Sequence, residues 1–325
     1  MRLNLVDQRV CVTGGTGFVG THVVRELERI GVSGEQLLLP RHKDFDLTLE
    51  SDVERLYQEL KPDVIIHLAA TVGGIGANRA RPGEFFYENL VMGVHLIEHA
   101  RRNHLRRFIQ VGTVCSYPKH CPVPFREDDL WNGYPEETNA PYGIAKKSLN
   151  VMLDSYSRQY GLKSAVLLPT NLFGPHDNFE ESSSHVIPAL IRKVENARLR
   201  GEERITAWGT GLATREFLYV EDAARAIVRA AELVDSPMPI NLGSGNVVTI
   251  RELAQKIAKH CEFEGSIEWD AGYPDGQPKR HLDTSLASVV LEWRATTPLD
   301  TGLERTIDWY RNDSQPKTPE ISSDR

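Results

Sequence analysis

The chain has 325 residues, 40% hydrophobic and 26% charged, with a net charge of −7. That length supports a large core in one or two domains, and the acidic balance argues against a general nucleic-acid binder. No apolar run approaches the roughly 20 residues that cross a bilayer, and no apolar signal segment precedes the first expected strand. The four cysteines, Cys11, Cys115, Cys121 and Cys261, make neither a Cys-x-x-Cys metal pattern nor a dense disulfide framework. A cytoplasmic, reduced protein with no metal site and no membrane contact is therefore expected.

Arg9–Thr13 reads as a short buried strand. It runs into Gly14-Gly15-Thr16-Gly17-Phe18-Val19-Gly20 and then an apolar-periodic helix to about Ile30. Glycines at 14, 17 and 20, between strand and helix, fit a dinucleotide site. The helix start offers unpaired N–H groups and a positive dipole end to a pyrophosphate, and glycine lets the cofactor and the helix come close. The motif is silent on the reaction.

Gln36–Pro40 is the expected second strand. An NAD site usually carries an acidic residue here for the ribose 2′-hydroxyl, whereas this chain has Arg41, His42 and Lys43. Cations there suit a 2′-phosphate and favour NADP, with NAD still possible. An exposed basic turn is the alternative, since Asp44 and Asp46 follow closely; Asp46, next to Leu47, would contact the adenine region.

Asp63–Leu68 is the third expected strand, and the small residues Ala69 and Ala70 at its carboxyl end leave room for a ribose. A helix over 82–103 follows, with Phe86, Leu90, Val94 and Ile97 as its apolar stripe, either core or a dimer face. Arg107–Val111 is a fourth strand, with Thr113 beyond it and Cys115 on the same side if the chain stays extended. Tyr142 and Lys146 stand one helical turn apart. A phenol ordinarily ionises near pH 10; a fixed ammonium beside it favours the phenolate and fits a proton relay to a carbonyl or alcohol. Ser164–Pro169 is a fifth strand, and the alternation predicts an α/β, Rossmann-like doubly wound parallel sheet.

Beyond Asn171 the rhythm changes to loops and shorter elements, which predicts a smaller, interleaved α/β lobe. The expected division is 1–172 and 216–236 for the dinucleotide domain, 173–215 and 237–311 for the substrate domain, and 312–325 for a mobile tail. The loop from Asp275 to Arg280 is basic enough to meet a nucleotide diphosphate.

Taken together, the glycine loop, Leu68-Ala69-Ala70-Thr71-Val72-Gly73-Gly74-Ile75, Cys115-Ser116-Tyr117-Pro118-Lys119, the Tyr-x-x-x-Lys pair, Pro169 to Phe179 and Ser184 to Leu190 resemble the extended short-chain dehydrogenase/reductases that act on nucleotide sugars. The Cys and His segments are most similar to the GDP-L-fucose synthase branch. The resemblance implies NADPH-dependent 3,5-epimerisation and 4-reduction of a GDP-4-keto-6-deoxy sugar. By position it implies Thr113, Tyr142 and Lys146 as the proton relay and Cys115 and His185 as the epimerising base and acid. It implies cofactor contacts at Gly14, Thr16, Gly17, Phe18, Val19, Arg41, Leu68, Ala69, Ala70, Tyr142, Lys146, Pro169, Asn171, Leu172 and His185. Arg192, Trp208, Arg215 and Lys279 would hold the GDP-sugar. The two amphipathic helices, at 82–103 and at Tyr142, lead us to expect a homodimer through a four-helix bundle. Two departures stand out: Thr113 where the branch usually has serine, and Thr16 where it carries a basic residue for the NADP phosphate. The rival readings are a nucleotide-sugar epimerase that retains NAD without net reduction, and a non-enzymatic dinucleotide sensor.

Overall fold

The computed structural model describes residues 2–181, 183–273 and 277–314, except the side chains of Ile75 and Ser314. In the first half, β1 (Val10–Thr13), β2 (Leu37–Leu38), β3 (Val64–His67), β4 (Arg107–Val111) and β5 (Ser164–Pro169) alternate with α1 (Phe18–Arg29), α2 (Glu50–Leu60), the short α3 (Ile75–Ala80), α4 (Pro82–Arg102) and α5 (Ala140–Tyr160). All four residues of β1 and of β3 are buried. Such unbroken runs suit strands covered on both faces, as parallel strands are. β2 is shorter than the expected 36–40 because residues Gly34–Gln36 form a 3-10 turn and Pro40 has no N–H to donate to a ladder.

The second half adds β6 (Asn171–Phe173), α6 (Val186–Arg200), β7 (Arg204–Trp208), β8 (Thr214–Tyr219), α7 (Val220–Leu233), β9 (Pro239–Leu242), β10 (Val247–Thr249), α8 (Ile250–His260), β11 (Ser266–Asp270), α9 (Ser285–Val290) and α10 (Leu299–Trp309). The main sheet has six parallel strands in the order β2-β1-β3-β4-β5-β9. One apolar layer, including Val23, Leu27 and Ile227 from α1 and α7, covers one face; Leu56, Leu96, Leu149 and Leu153 from α2, α4 and α5 belong to the layer on the other. A third core, with Ile191, Leu253 and Leu303, serves the smaller lobe and its β10-β8-β6 and β11-β7 sheets.

Three expectations need correction. The strand at 214–219, assigned to the dinucleotide part from 216 onward, pairs with β6 and β10 instead, while Pro239–Leu242, assigned to the smaller lobe, is the sixth strand of the main sheet. The polar start of β8, Thr-Arg-Glu, does not suit a strand buried on both faces, whereas β9 takes the sheet edge with its proline at the first position, where proline is tolerated. On α4 the inward face is Phe85, Asn89, Met92, Leu96 and Ile97, while Phe86 is 38% exposed and Leu90 and Val94 are half-buried. A buried asparagine on that face shifts it away from the purely apolar stripe. Finally, Tyr310–Ser314 continue α10 as a π-helical turn, and 315–325, the rest of the expected tail, lie outside the described residues.

Chain order reverses at β1: β2 lies on one side and β3 on the other, so their carboxyl ends frame a crevice of the kind that binds ligands. α1 must lie close over the glycine loop to form that crevice. A Cβ on Gly20 would sit 2.0 Å from the Gly14 carbonyl oxygen, a backbone atom with no rotamer to yield. Gly20→Ala is expected to destabilise the fold by about 2 kcal/mol or more, read as a fall of several degrees in Tm; an unchanged Tm would mean that α1 is not seated as described.

Candidate active site

At the carboxyl ends of β1, β3, β4 and β5 lies one cavity of about 1140 Å³. Its glycine-loop wall is Gly14, Thr16, Gly17, Phe18 and Val19, and Arg41, His42 and Asp46 line the end beyond β2. Leu68, Ala69 and Ala70 follow from β3, Pro169, Asn171 and Leu172 from β5 and β6, and Thr113, Cys115, Tyr142, Lys146 and His185 complete the lining. Of the residues expected from the sequence to be catalytic or cofactor-binding, all but Lys43 therefore face the same space.

Local chemistry explains the wall that carries the sulfur. Val114–Ser116 form a single 3-10 turn whose cap is Thr113, its Oγ1 accepting the Cys115 N–H at 3.1 Å. The segment is thus not extended, and its relation to Thr113 is that of a capped turn. The turn presses on the first turn of α5: a Cβ on Gly143 would meet the Cys115 carbonyl oxygen at 2.4 Å, and Ser116 Oγ donates to the Gly143 carbonyl at 2.9 Å. Thiol and phenol are carried by backbones in direct contact.

α1 starts at Phe18 with Gly17 as an uncapped N-terminus. Its first N–H groups lack intrahelical acceptors and belong to cavity-lining residues, an arrangement that fits a pyrophosphate. Lys146 is buried and, among the described residues, has no hydrogen-bond partner. A buried ammonium without an anion is costly, and burial lowers its pKa to about 8. Burial also raises the Tyr142 phenol well above its ordinary range, with the nearby Cys115 adding to the effect. This runs opposite to the sequence expectation of a phenol made more acidic by Lys146: burial is the largest influence on Tyr142. The His185 ring is reached by solvent through the cavity yet crowded by protein, and its pKa is lowered by desolvation and then by Arg280.

Sequence reasoning missed several residues. His67 at the end of β3 is buried, with Nδ1 2.8 Å from Thr13 Oγ1, and its pKa is held well down by burial and then by Lys146. Asn89 on α4 grips Thr71 at both backbone groups, accepting its N–H at 3.2 Å and donating to its carbonyl at 2.9 Å. Arg280 is buried, and its Nη1 lies 3.7 Å from Cys115 Sγ. A polar residue at a buried helical position was a signal available for Asn89; nothing local in the sequence marked the pairing of 115 with 280.

The four expected substrate residues do not line this cavity. Arg192 on α6 pairs with Glu181 at 3.4 Å, and its Nε is a buried nitrogen with no hydrogen-bond partner among the described residues. Trp208 at the end of β7 is 64% exposed and stacks face to face on Tyr273 at 4.3 Å. Arg215 donates to the Thr214 carbonyl at 2.8 Å, and Lys279 pairs through its backbone with Thr214, so Arg215 and Lys279 flank one point of the smaller lobe.

Known proteins place this architecture. The profile of the NAD dependent epimerase/dehydratase family matches residues 10–243. GDP-L-fucose synthase 1 of Arabidopsis thaliana is 40% identical over 303 residues, covering 93% of both chains, and the GDP-L-fucose synthase of Escherichia coli K12 is 38% identical over 312 residues, 93% of this chain and 96% of its own. Among solved structures, a GDP-L-fucose synthetase from Naegleria fowleri bound to NADP superimposes with a TM-score of 0.88 at 26% identity, covering 97% of each chain. A GDP-6-OMe-4-keto-L-xylo-heptose reductase from Campylobacter jejuni gives a TM-score of 0.88 at 25% identity, over 96% of this chain and 99% of that one. On the family match and on this shared sequence, the chain belongs to the NAD dependent epimerase/dehydratase family.

Proposed function

We propose that the protein is an NADPH-dependent epimerase and reductase that inverts C3 and C5 and reduces C4 of a GDP-4-keto-6-deoxy sugar, forming GDP-L-fucose or a close relative. The observation that carries this reading is that a thiol and an imidazole, Cys115 and His185, share one cavity with the Tyr142–Lys146 pair. Hydride transfer at C4 alone needs only the Tyr–Lys pair. A second acid–base couple is what inversion at two carbons next to a ketone requires.

A C4 ketone makes the C3 and C5 protons acidic, because the electron pair left behind delocalises onto O4. Cys115, as thiolate, takes such a proton: the C–H bond breaks, an S–H bond forms and the pair moves onto O4. His185 returns a proton on the opposite face, which inverts the centre. Burial and then Arg280 lower the His185 pKa; a diphosphate-bearing substrate brings the negative charge that favours the imidazolium. Tyr142 donates to O4 throughout and finally gives up its proton there, with Thr113 beside it and Lys146 compensating the phenolate charge. A nicotinamide held by cavity-lining residues such as Gly14, Tyr142 and Lys146 would supply the hydride for C4. Each acid or base step contributes about 10²–10⁴-fold.

Arg192, whose Nε has no partner among the described residues, Arg215, Lys279 and the exposed Trp208 are the groups offered to the diphosphate and base of a GDP-sugar. Arg41 and His42, lining the cavity end, support NADPH over NADH. The half-exposed face of α4 at Phe86, Leu90 and Val94, together with the exposed Val151 of the neighbouring α5, supports a homodimer that closes these helices into a four-helix bundle.

Three outcomes are expected. In D₂O with a GDP-4-keto-6-deoxy sugar, Cys115→Ser suppresses deuterium incorporation at C3 and C5 by about 10²-fold or more, while Tyr142→Phe suppresses NADPH oxidation more than exchange; exchange that survives Cys115→Ser intact removes the thiol from the mechanism. Arg41→Ala raises KM for NADPH about tenfold, the worth of one charge-assisted hydrogen bond, with KM for NADH unmoved; equal effects on both would assign Arg41 elsewhere. Lys146 has a folded pKa near 8 against 10.5 unfolded, so the unfolded chain binds the extra proton between those values and stability rises with pH across that window. Urea melts of the cofactor-free protein should therefore show Lys146→Met more stable than wild type at pH 7.5, by up to about 3 kcal/mol, the gap shrinking by pH 10; a gap that does not change with pH contradicts a buried, depressed lysine.

A further inference from the structure

Arg280 comes from the smaller lobe, yet its guanidinium reaches the sulfur-bearing wall of the cavity. Backbone bonds fix the strand of chain around it on two sides. Thr214 N–H donates to the Pro278 carbonyl at 2.9 Å and Arg280 N–H to the Thr214 carbonyl at 3.3 Å; Phe125 N–H donates to the His281 carbonyl at 2.8 Å and Leu282 N–H to Glu216 Oε2 at 2.9 Å. The side chain is tethered as well. Its Nε donates to Gln277 Oε1 at 3.3 Å, and Gln277 in turn donates to the carbonyl of Lys119, four residues beyond Cys115. Nη1 then lies 3.7 Å from Cys115 Sγ. Arg280 is only 8% exposed, and among the described residues no carboxylate pairs with it. A buried guanidinium ordinarily has an anion, and the group it is aimed at is a thiol.

We propose that the buried Arg280 guanidinium is the charge partner of the Cys115 sulfur, a role that, among the described residues, no other residue of the cavity wall shares with it. A cation in hydrogen-bond contact favours the charged form of sulfur, the form that is nucleophilic and basic. The same cation disfavours a charged imidazole at His185. One side chain thus biases both partners in the same sense, towards thiolate with neutral imidazole rather than thiol with imidazolium. When the sulfur takes a proton from carbon, the negative charge passes to the substrate oxygen and the guanidinium charge stays behind in the wall. The chemical consequence rests on the function proposed above; the thiolate–guanidinium pairing does not.

The test is alkylation of the whole protein by iodoacetamide at pH 7.5, with Cys115 and Cys121 peptides quantified separately by mass spectrometry and no substrate present. Arg280→Gln is expected to slow alkylation of Cys115 about tenfold or more, the worth of a charged hydrogen bond, with Cys121 unchanged. Arg280→Lys, which keeps the charge, is expected to restore most of the rate. Gln277→Ala, which keeps the charge but cuts its tether, gives an intermediate rate and serves if Arg280→Gln does not fold. Cys115 alkylating as fast in Arg280→Gln as in wild type, or Arg280→Lys behaving like Arg280→Gln, overturns the pairing. Normal turnover of a 4-keto sugar alongside unchanged alkylation would sink this inference alone; slowed alkylation in a protein that turns over no such sugar would sink the functional reading alone.

Discussion

The contact on which the site depends is between two backbones, where the Cys115 carbonyl lies against Gly143 on the first turn of α5. Any side chain at 143 would drive these apart. Because Tyr142 precedes that glycine, its phenol is fixed relative to the sulfur, and Lys146, one turn further on, is fixed with it. Ser116 reinforces the contact from the turn side, and the Thr113 cap holds the turn itself. The thiol, the phenol and the amine are therefore one rigid unit. His185 and Arg280 are brought to it by other parts of the chain.

Those other parts are joined at Glu216. Its backbone carbonyl accepts from Thr170 Oγ1 and Asn171 Nδ2, and its buried carboxylate accepts the N–H groups of Gly245 and Leu282. One residue of β8 thus ties the end of β5, the loop after β9 and the segment that carries Arg280. Burial raises its pKa, which the two backbone donors partly offset. On the opposite side Gly74 N–H donates to the Ser183 carbonyl, so the loop leading to His185 leans on the loop after β3. A cavity assembled this way is preorganised: its groups are held by packing and backbone bonds before any ligand arrives. The cost shows in the electrostatics, with a lysine stripped of water and a phenol pushed towards its neutral form.

The parts legible in the sequence were those with local signatures. Glycines 14, 17 and 20 between an apolar strand and a periodic helix specify the crevice at β1, and Tyr142 and Lys146 share a helix face by spacing alone. Burial on both faces made the early strands readable as unbroken apolar runs. Half-polar β8 and the edge strand β9 lack that mark, and their sheets were exchanged. The extended reading of 113–115 failed because a threonine cap stabilises a turn there, a choice between two local hydrogen-bonding options that residue type leaves open. The acidity expected of Tyr142 failed because pair spacing carries no information about burial. Arg280 was invisible for a different reason: 165 residues separate it from Cys115, and only the seating of the smaller lobe on the sheet brings them together.

The account comes down to inversion and reduction occurring in a single cavity. The most direct measurement follows the wild-type protein with GDP-4-keto-6-deoxy-D-mannose and NADPH by NMR and absorbance together. The account predicts one NADPH oxidised per sugar consumed, with C3 and C5 both inverted in the product. A product that is reduced at C4 but keeps its original C3 and C5 configuration, or inversion without NADPH consumption, would contradict it.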